Sequence, residues 1–471
     1  MLIRGASLWM LCGLGLSSLA PVRGADSDKE KTDVEETREL LVSVRAVESP
    51  LMKYRLLPAE YELRDGNAAP ILLRLPWEQE TYFTSVVPTF SDYLDLPLDD
   101  PKVLDSGKVF APRLYVELKR AAYRRTAEWE YPIGERPIAN ILLPDVQGAR
   151  QIIGRGLSVW IRHRIAHGQI EEALEGISLG LANSRHYGRT PFVITQFVCA
   201  AVDSMMLARL EELLENPDCP NLYWALTALP RPLIDLRPAV ELEQRFLQMS
   251  VAGLDELDDL QTEYQWAQKA QEVTRLLAEV GGNAEPKSGL PGSVIQRLAQ
   301  RARAELPSRI DGGADRVEKM SDAEAGLRWL IHFNVEQSQE IAALMSLEPP
   351  AAIPQLAELQ EHGVQYRSEL GISSLFVLEQ PFDAYIFSRK AQRRIDALRV
   401  VEAVRNYAAT HQGQLPSALD EIADTPIPND IFTGEPFHYE LTEVAALLWG
   451  RRYEIDGKEV AAIRYRVNLR K

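Results

Sequence analysis

Between Phe387 and His411 the apolar residues Ala397, Val400, Val401, Val404 and Ala408 recur at steps of three and four, and no proline interrupts them. That spacing draws one apolar stripe along a helix, and the rest of the chain must cover it. Arg399, Glu402 and Asn406 fall on the other side and read as its wet face. Gly413 is free to adopt the left-handed conformation that closes a helix. Ser417 with Asp420 marks a further turn, which folds Leu419 and Ile422 back onto the long helix. Pro426 and Pro428 forbid continued helix, and Thr433-Gly434 turns the chain into "PFHYEL". A helix, a loop and a strand are expected, with each conspicuous residue in a backbone or packing role.

Past this stretch the period changes. Ile463, Tyr465, Val467 and Leu469 alternate with Arg464, Arg466 and Asn468, the pattern of a half-buried strand. Asp456-Gly457 reads as the hairpin turn joining "RRYEI" to it. Upstream, "HGQIEEALEGISLGLANSRHYG" and "TPFVITQFVCAAVDSMMLARLEELLENP" read as helices, the second from about Thr190 to Glu215. "PNLYWALTALP" is a short helix capped by Asn221 and ended by Pro230. Ser321 and Glu324 form a capping-box pattern, opening a helix to about Ser346, before Pro349 and Pro350. "APRLYVELKRAAYRRTAEWE" is the clearest helix of the proline-rich stretch 51–150, running from Pro112 to Pro132. The stretch 281–292, "GGNAEPKSGLPG", reads as an internal linker.

The first residues look like a processing signal. Arg4 precedes the apolar run Leu8–Ala20, and Val22 and Gly24 supply a cleavage point. Thirteen residues are too few to span a ~30 Å hydrocarbon layer as a helix, and no second long apolar run is read, so no stable membrane span is expected after cleavage. The formal charge of the 471-residue chain is −16, and loss of residues 1–24 with their two arginines makes it −18. Such a balance argues against nucleic acid as a general partner. The local basic groups Arg297, Arg301 and Arg303, and Arg389, Lys390, Arg393 and Arg394, read as solvated helix faces. The charged segment 25–50 reads as a disordered tether. Cys199 and Cys219 remain after cleavage. About 24 Å of helix separates Cys199 from its helix end, and the four residues beyond cannot return far enough for a disulfide.

"ALRVVEAVRNYAATHQGQLPSALDEI" followed by "PNDIFTGEPFHYEL" resembles the helix-loop-strand portion of type II secretion pseudopilins. With "MKYRLLP", "GNAAPILLR" and "NLYWALTALPRPLIDLR", the chain is similar to a large family of uncharacterised exported proteins from planctomycete-type bacteria. The resemblance implies a place in the cell envelope and carries no activity. In pseudopilins the segment directly follows the membrane helix, whereas here it starts near residue 387.

Few residues suggest chemistry. "GISLG", Gly176–Gly180, matches a nucleophile elbow at Ser178, but that motif needs a strand-turn-helix and here lies within a helical pattern. Two glycines there more simply let another helix approach. His163 and His167, four apart, could share a metal on one helix face, but no third ligand is evident and Arg164 stands where H-E-x-x-H needs glutamate. Glu128 and Glu130 around Trp129 suggest a glycosidase pair, although sequence neighbours rarely converge on one sugar atom. Asp255, Glu256, Asp258 and Asp259 lack the spacing of a calcium loop. In "PRPLIDLRP", Arg231, Asp235 and Arg237 could bind a carboxylate through guanidinium contacts, or pair with one another and fix the angle between helices.

The expected fold is mainly α, with packed helical hairpins and a small C-terminal α+β subdomain ending in an antiparallel hairpin. The hairpins are partly TPR-like, through the G-x-x-x-E-A-L phrase Gly168–Leu174, which has no companion 34 residues away. The expected division is 1–24, 25–50, 51–150, 151–280, 281–292, 293–386 and 387–471. The function expected is that of an exported, non-catalytic binding or scaffold protein of the envelope, periplasm or exterior, with a protein or peptide partner and no cofactor. An envelope-polymer (carbohydrate) hydrolase and an accessory component of a secretion apparatus stand as alternatives, so enzymatic activity is left open.

Overall fold

The computed structural model describes residues 37–470, except 79–81, 83–84, 87–88, 132–148, 246–248, 250, 252, 255–256, 261, 281–291, 371–380, 452–453, 456–457 and 460–461. The signal-like segment, residues 281–291 of the expected linker and the Asp456-Gly457 turn fall outside the described residues, while Gly292 opens the helix Gly292–Glu305. The protein is mainly helical, with a small four-stranded sheet near its C-terminus. One continuous apolar core joins residues from Leu40 to Val467.

The long helix runs Pro381–Thr410 and lies at the centre. The helices Val193–Leu214, Tyr223–Thr227 and Pro349–Leu370 all pack on it. Its stripe of Ala397, Val400, Val401, Val404 and Ala408 is buried as expected. The wet face is not. Arg399, Glu402 and Asn406 are 7%, 0% and 3% exposed, because neighbours cover the helix on that side too. Arg393 and Arg394 are likewise buried rather than solvated. Gly413, at φ +79°, closes the helix, its N–H bonding the Ala408 carbonyl at 2.8 Å. In the next turn Ser417 is bonded by Glu421, not Asp420. Gly434, at φ +70°, makes the corner before the strand His438–Leu441.

Strands β4 (His438–Leu441), β5 (Ala446–Trp449) and β8 (Arg464–Leu469) form antiparallel neighbours in that order. Hence β8 pairs with β5, and not with "RRYEI", whose Glu454–Ile455 (β6) pairs locally with Lys458–Glu459 (β7). The fourth strand is β1, Arg38–Val42, parallel to β8 with Leu40 opposite Val467. The expected tether therefore gives way to structure at this point: Leu40 and Val42 alternate inward and are buried.

The helix expected to reach Pro132 stops at Ala122. Beyond it β3 (Arg124–Thr126) pairs with β2 (Arg64–Asn67), held by Arg64 N–H to Tyr123 O and Ala68 N–H to Thr126 O at 2.8 and 2.9 Å. The pairing partner lies sixty residues away, outside any local helical pattern. Ser321 caps the helix Asp322–Leu344 by accepting the Glu324 N–H at 3.2 Å, but the Glu324 carboxylate turns to Arg328 instead of back to the cap. Pro349 and Pro350 do not merely end this helix; they open the next, where the missing N–H costs nothing.

Val193–Leu214 is long and apolar enough to cross a membrane, which corrects the reading of no second apolar run, but most of it is buried inside the protein, against Ile170–Tyr187 and the central helix. Cys199 and Cys219 are both buried and free.

Candidate functional site

Charged side chains on the central helix clamp distant segments together. Arg393 grips Asp430 through Nε and Nη2 at 2.9 and 2.6 Å, and Gly450 packs so close behind that a Cβ there would sit 2.2 Å from Nη2. Arg394 meets Glu211, which Arg38 of β1 and the Tyr465 hydroxyl also contact. Burial opposes the charge of Glu211, but Arg394, then Arg38 and Tyr465, hold its carboxyl below the ordinary range. Glu402 accepts from Arg405 at 2.6 Å and from the Leu222 N–H at 2.9 Å. Complete burial still leaves its carboxyl above the ordinary range. Arg405 reaches the Ser43 and Cys219 carbonyls, and Asn406 accepts the Val47 N–H. These are cross-links between segments, closed on themselves.

One cluster opens to solvent. Four segments enclose a cleft of about 710 Å³: the stretch from Arg231 to Arg237, the turn Met345–Pro350 between two helices, Arg389 and Arg399 of the central helix, and the loop from Pro426 to Gly434. Tyr385 of the central helix donates to the Leu347 carbonyl at 2.7 Å, and Tyr223 donates to that of Pro426. One wall is thus fastened to the central helix and the other to the short helix Tyr223–Thr227. Beneath lies Asp396, fully buried, held by Arg231 Nη2 at 2.6 and 2.7 Å and by Arg399 Nη1 at 3.1 Å. Burial pushes its carboxyl above the ordinary range while the guanidiniums of Arg231 and Arg399 pull it back. Arg399 also donates to Thr227 Oγ1 at 2.9 Å and to the Tyr223 hydroxyl.

Of the three residues singled out in "PRPLIDLRP", Arg231 and Arg237 line this cleft. Asp235 takes Arg237 as its partner, accepting Nη2 at 2.6 Å, and caps the following helix through the Arg237 N–H at 3.1 Å. Arg237 holds the Asp235 carboxyl below its usual range. Arg389 and Arg399 were missed as site residues. They sit in a charge pattern that suits a wet face, and nothing local reveals that loops fold over it. Arg389 lies over the Tyr385 ring at 4.9 Å; it makes no ion pair among the described residues, and its Nε is buried without a partner.

The remaining candidates do not join the cleft. Ser178 is buried within the helix Ile170–Tyr187, far from any strand-turn geometry. A Cβ on Gly176 would lie 2.7 Å from Ile161, and one on Gly180 2.1 Å from Met206, so each glycine admits a neighbouring helix. His163 and His167 stack with ring centroids 4.2 Å apart; burial first, then His167, lowers the pKa of His163. Among the described residues no three His, Cys, Asp or Glu side chains are grouped to hold a metal. Trp129 donates its indole N–H to the His186 carbonyl at 2.8 Å and packs on Tyr187, a structural anchor between exposed Glu128 and Glu130. Asp258 pairs with Arg328 at 2.7 Å. Arg297, Arg301 and Arg303 bond Leu370 O, Glu369 and Asp322. No protein-family model, curated protein or solved structure matches this chain.

Proposed function

We propose that the protein is an exported, non-catalytic binding protein of the envelope that holds a peptide or protein partner in the arginine-lined cleft. The observation that carries this reading is a pre-formed hollow in which Arg389, without an ion pair among the described residues, stands beside the apolar side chains of Leu347, Pro350, Pro426, Ile427 and Pro428. Charged anchors beside apolar contact surface are what orient a ligand in a cleft. Export rests on the apolar run Leu8–Ala20. The helix pair Leu157–Ala166 and Ile170–Tyr187, with its TPR-like phrase, serves in this reading as scaffold behind the cleft.

A glycoside hydrolase of the usual kind would need two converging carboxyl groups. Of the acids lining the cleft, Asp430 is buried with both oxygens taken by Arg393, which leaves Glu348 alone. A place in a secretion apparatus would need the Pro381–Thr410 helix to offer a face, and its neighbours cover it. To test the binding role, a photocrosslinking residue is placed at Ile427, with a control at exposed Tyr264, in cells of the native host. A discrete adduct from Ile427 alone is expected. Uncrosslinked protein from both positions would refute the reading.

A further inference from the structure

The charges around the cleft do not cancel. Asp430 is neutralised by Arg393, and Arg237 by Asp235. Arg231 and Arg399 share the single carboxylate of Asp396, which leaves one positive charge over. Arg389 adds a second, since no carboxylate meets it among the described residues; exposed Glu348 subtracts one. A small positive surplus suits a monoanion, and the chain's charge of −16 disfavours polyanions.

The donors are oriented as well as charged. Arg231 spends Nη2 on both oxygens of Asp396, and Nε and Nη1 donate to nothing among the described residues. Asp396 thereby holds the Arg231 guanidinium in place, and since its Nε–H and Nη1 face different sides, each can give an anion a single charge-assisted bond. Arg389 is braced by Tyr385, whose hydroxyl is committed to Leu347 O. Around these cations Pro232, Pro350, Pro426 and Pro428 lack N–H donors. Ser346 Oγ and Asn429 Nδ2, also in the lining, donate to the Ala342 and Gly434 carbonyls, so recognition of the charged group falls to the arginines.

We propose, building on the peptide-binding role above, that the cleft recognises a carboxylate carried on an apolar body, with Arg389 and the remaining N–H groups of Arg231 as its anchors. A peptide's C-terminus and a glutamate between apolar residues present the same group.

Calorimetric titration of the full chain with three probes tests this: acetyl-Ala-Leu-Pro-Leu-Ile as free acid, the same peptide as C-terminal amide, and acetyl-Leu-Glu-Leu-Ile amide. Hexanoate is a fourth arm, without peptide. Binding of a carboxylate-bearing peptide at least about tenfold tighter than the neutral amide, and weakened about tenfold by Arg389→Gln, supports the inference. Which of the two acids binds tells terminus from side chain. Arg231→Gln should weaken binding similarly, and because it also uncovers Asp396, thermal unfolding of each variant is followed in parallel. Arg389→Gln, which breaks no ion pair, should leave the unfolding curve in place. Equal binding of acid and amide would overturn the carboxylate assignment while sparing the peptide role. Hexanoate binding, lost in Arg389→Gln without any peptide binding, would keep the carboxylate site and remove the peptide role. Absence of binding by all four overturns the inference.

Discussion

Asp203 shows how far one residue departs from what its letter suggests. It stands on the apolar helix Val193–Leu214, 1% exposed, and neither carboxylate oxygen accepts a hydrogen bond. Burial raises its pKa from 3.8 to about 7, and the attraction of Arg185 offsets only part of the effect. The folded state thus keeps a proton that the unfolded state has lost between these two values. Stability from this group is fully present below pH 3.8, declines as pH rises to about 7, and is level above it. Asp203→Asn should therefore match the parent near pH 4 and exceed it at pH 8, by up to about 4 kcal/mol. Urea unfolding of both proteins at the two pH values measures this. An equal difference at both would show that Asp203 is not protonated in the fold. The contribution of Glu211, whose carboxyl is lowered, runs oppositely and cancels in the comparison.

At the scale of elements, helices approach one another where glycine permits it. Gly176 of Ile170–Tyr187 faces Ile161 and the Trp160 ring, while Gly180 faces the flexible thioether of Met206. An added methyl at Gly176 meets groups that cannot swing away. Gly176→Ala is expected to cost about 1–3 kcal/mol through overpacking, in spite of the roughly 1 kcal/mol that alanine gains over glycine within a helix. Gly180→Ala should cost less, because Met206 can change rotamer. Denaturant midpoints of the two variants decide it; the reverse ranking would mean that the glycines do not set these helix contacts. The G-x-S-x-G phrase was legible as helix packing because a helical period ran through it. The central helix was legible in its apolar stripe but misleading in its charges.

For the whole molecule, the two ends of the described chain close one sheet. β1 supplies an edge strand parallel to β8, buries Leu40 and Val42, and brings Arg38 to Glu211. Arg470 N–H returns to Val42 O at 2.8 Å. Burial of two such side chains is worth roughly 1.5–3 kcal/mol each. A chain starting at residue 48 should therefore unfold at least about 3 kcal/mol more readily than one starting at residue 37. Equilibrium unfolding of the pair tests it, and coincident curves would mean that the strand pairing adds nothing. The charged composition of residues 25–50 concealed β1, since five residues of alternating pattern give no signal without the partner strand.

Local physics alone settled much of this protein. Apolar spacing fixed where the helices lie, Gly413 and Gly434 fixed where the chain turns, and alternation fixed β8, because each depends on residues within a few positions of one another. Tertiary structure decided everything that needed a distant partner: the parallel strand from the N-terminal side, the pairing of β8 with Ala446–Trp449, and the conversion of Arg393, Arg394, Arg399 and Glu402 from an expected wet face into buried clamps. The cleft belongs to that second class. Arg231 and Arg237 announced themselves through their neighbours, but Arg389 and Arg399 joined them only when four segments, up to two hundred residues apart, folded against a single helix. A charged side chain does not record in its own sequence whether water or protein will surround it.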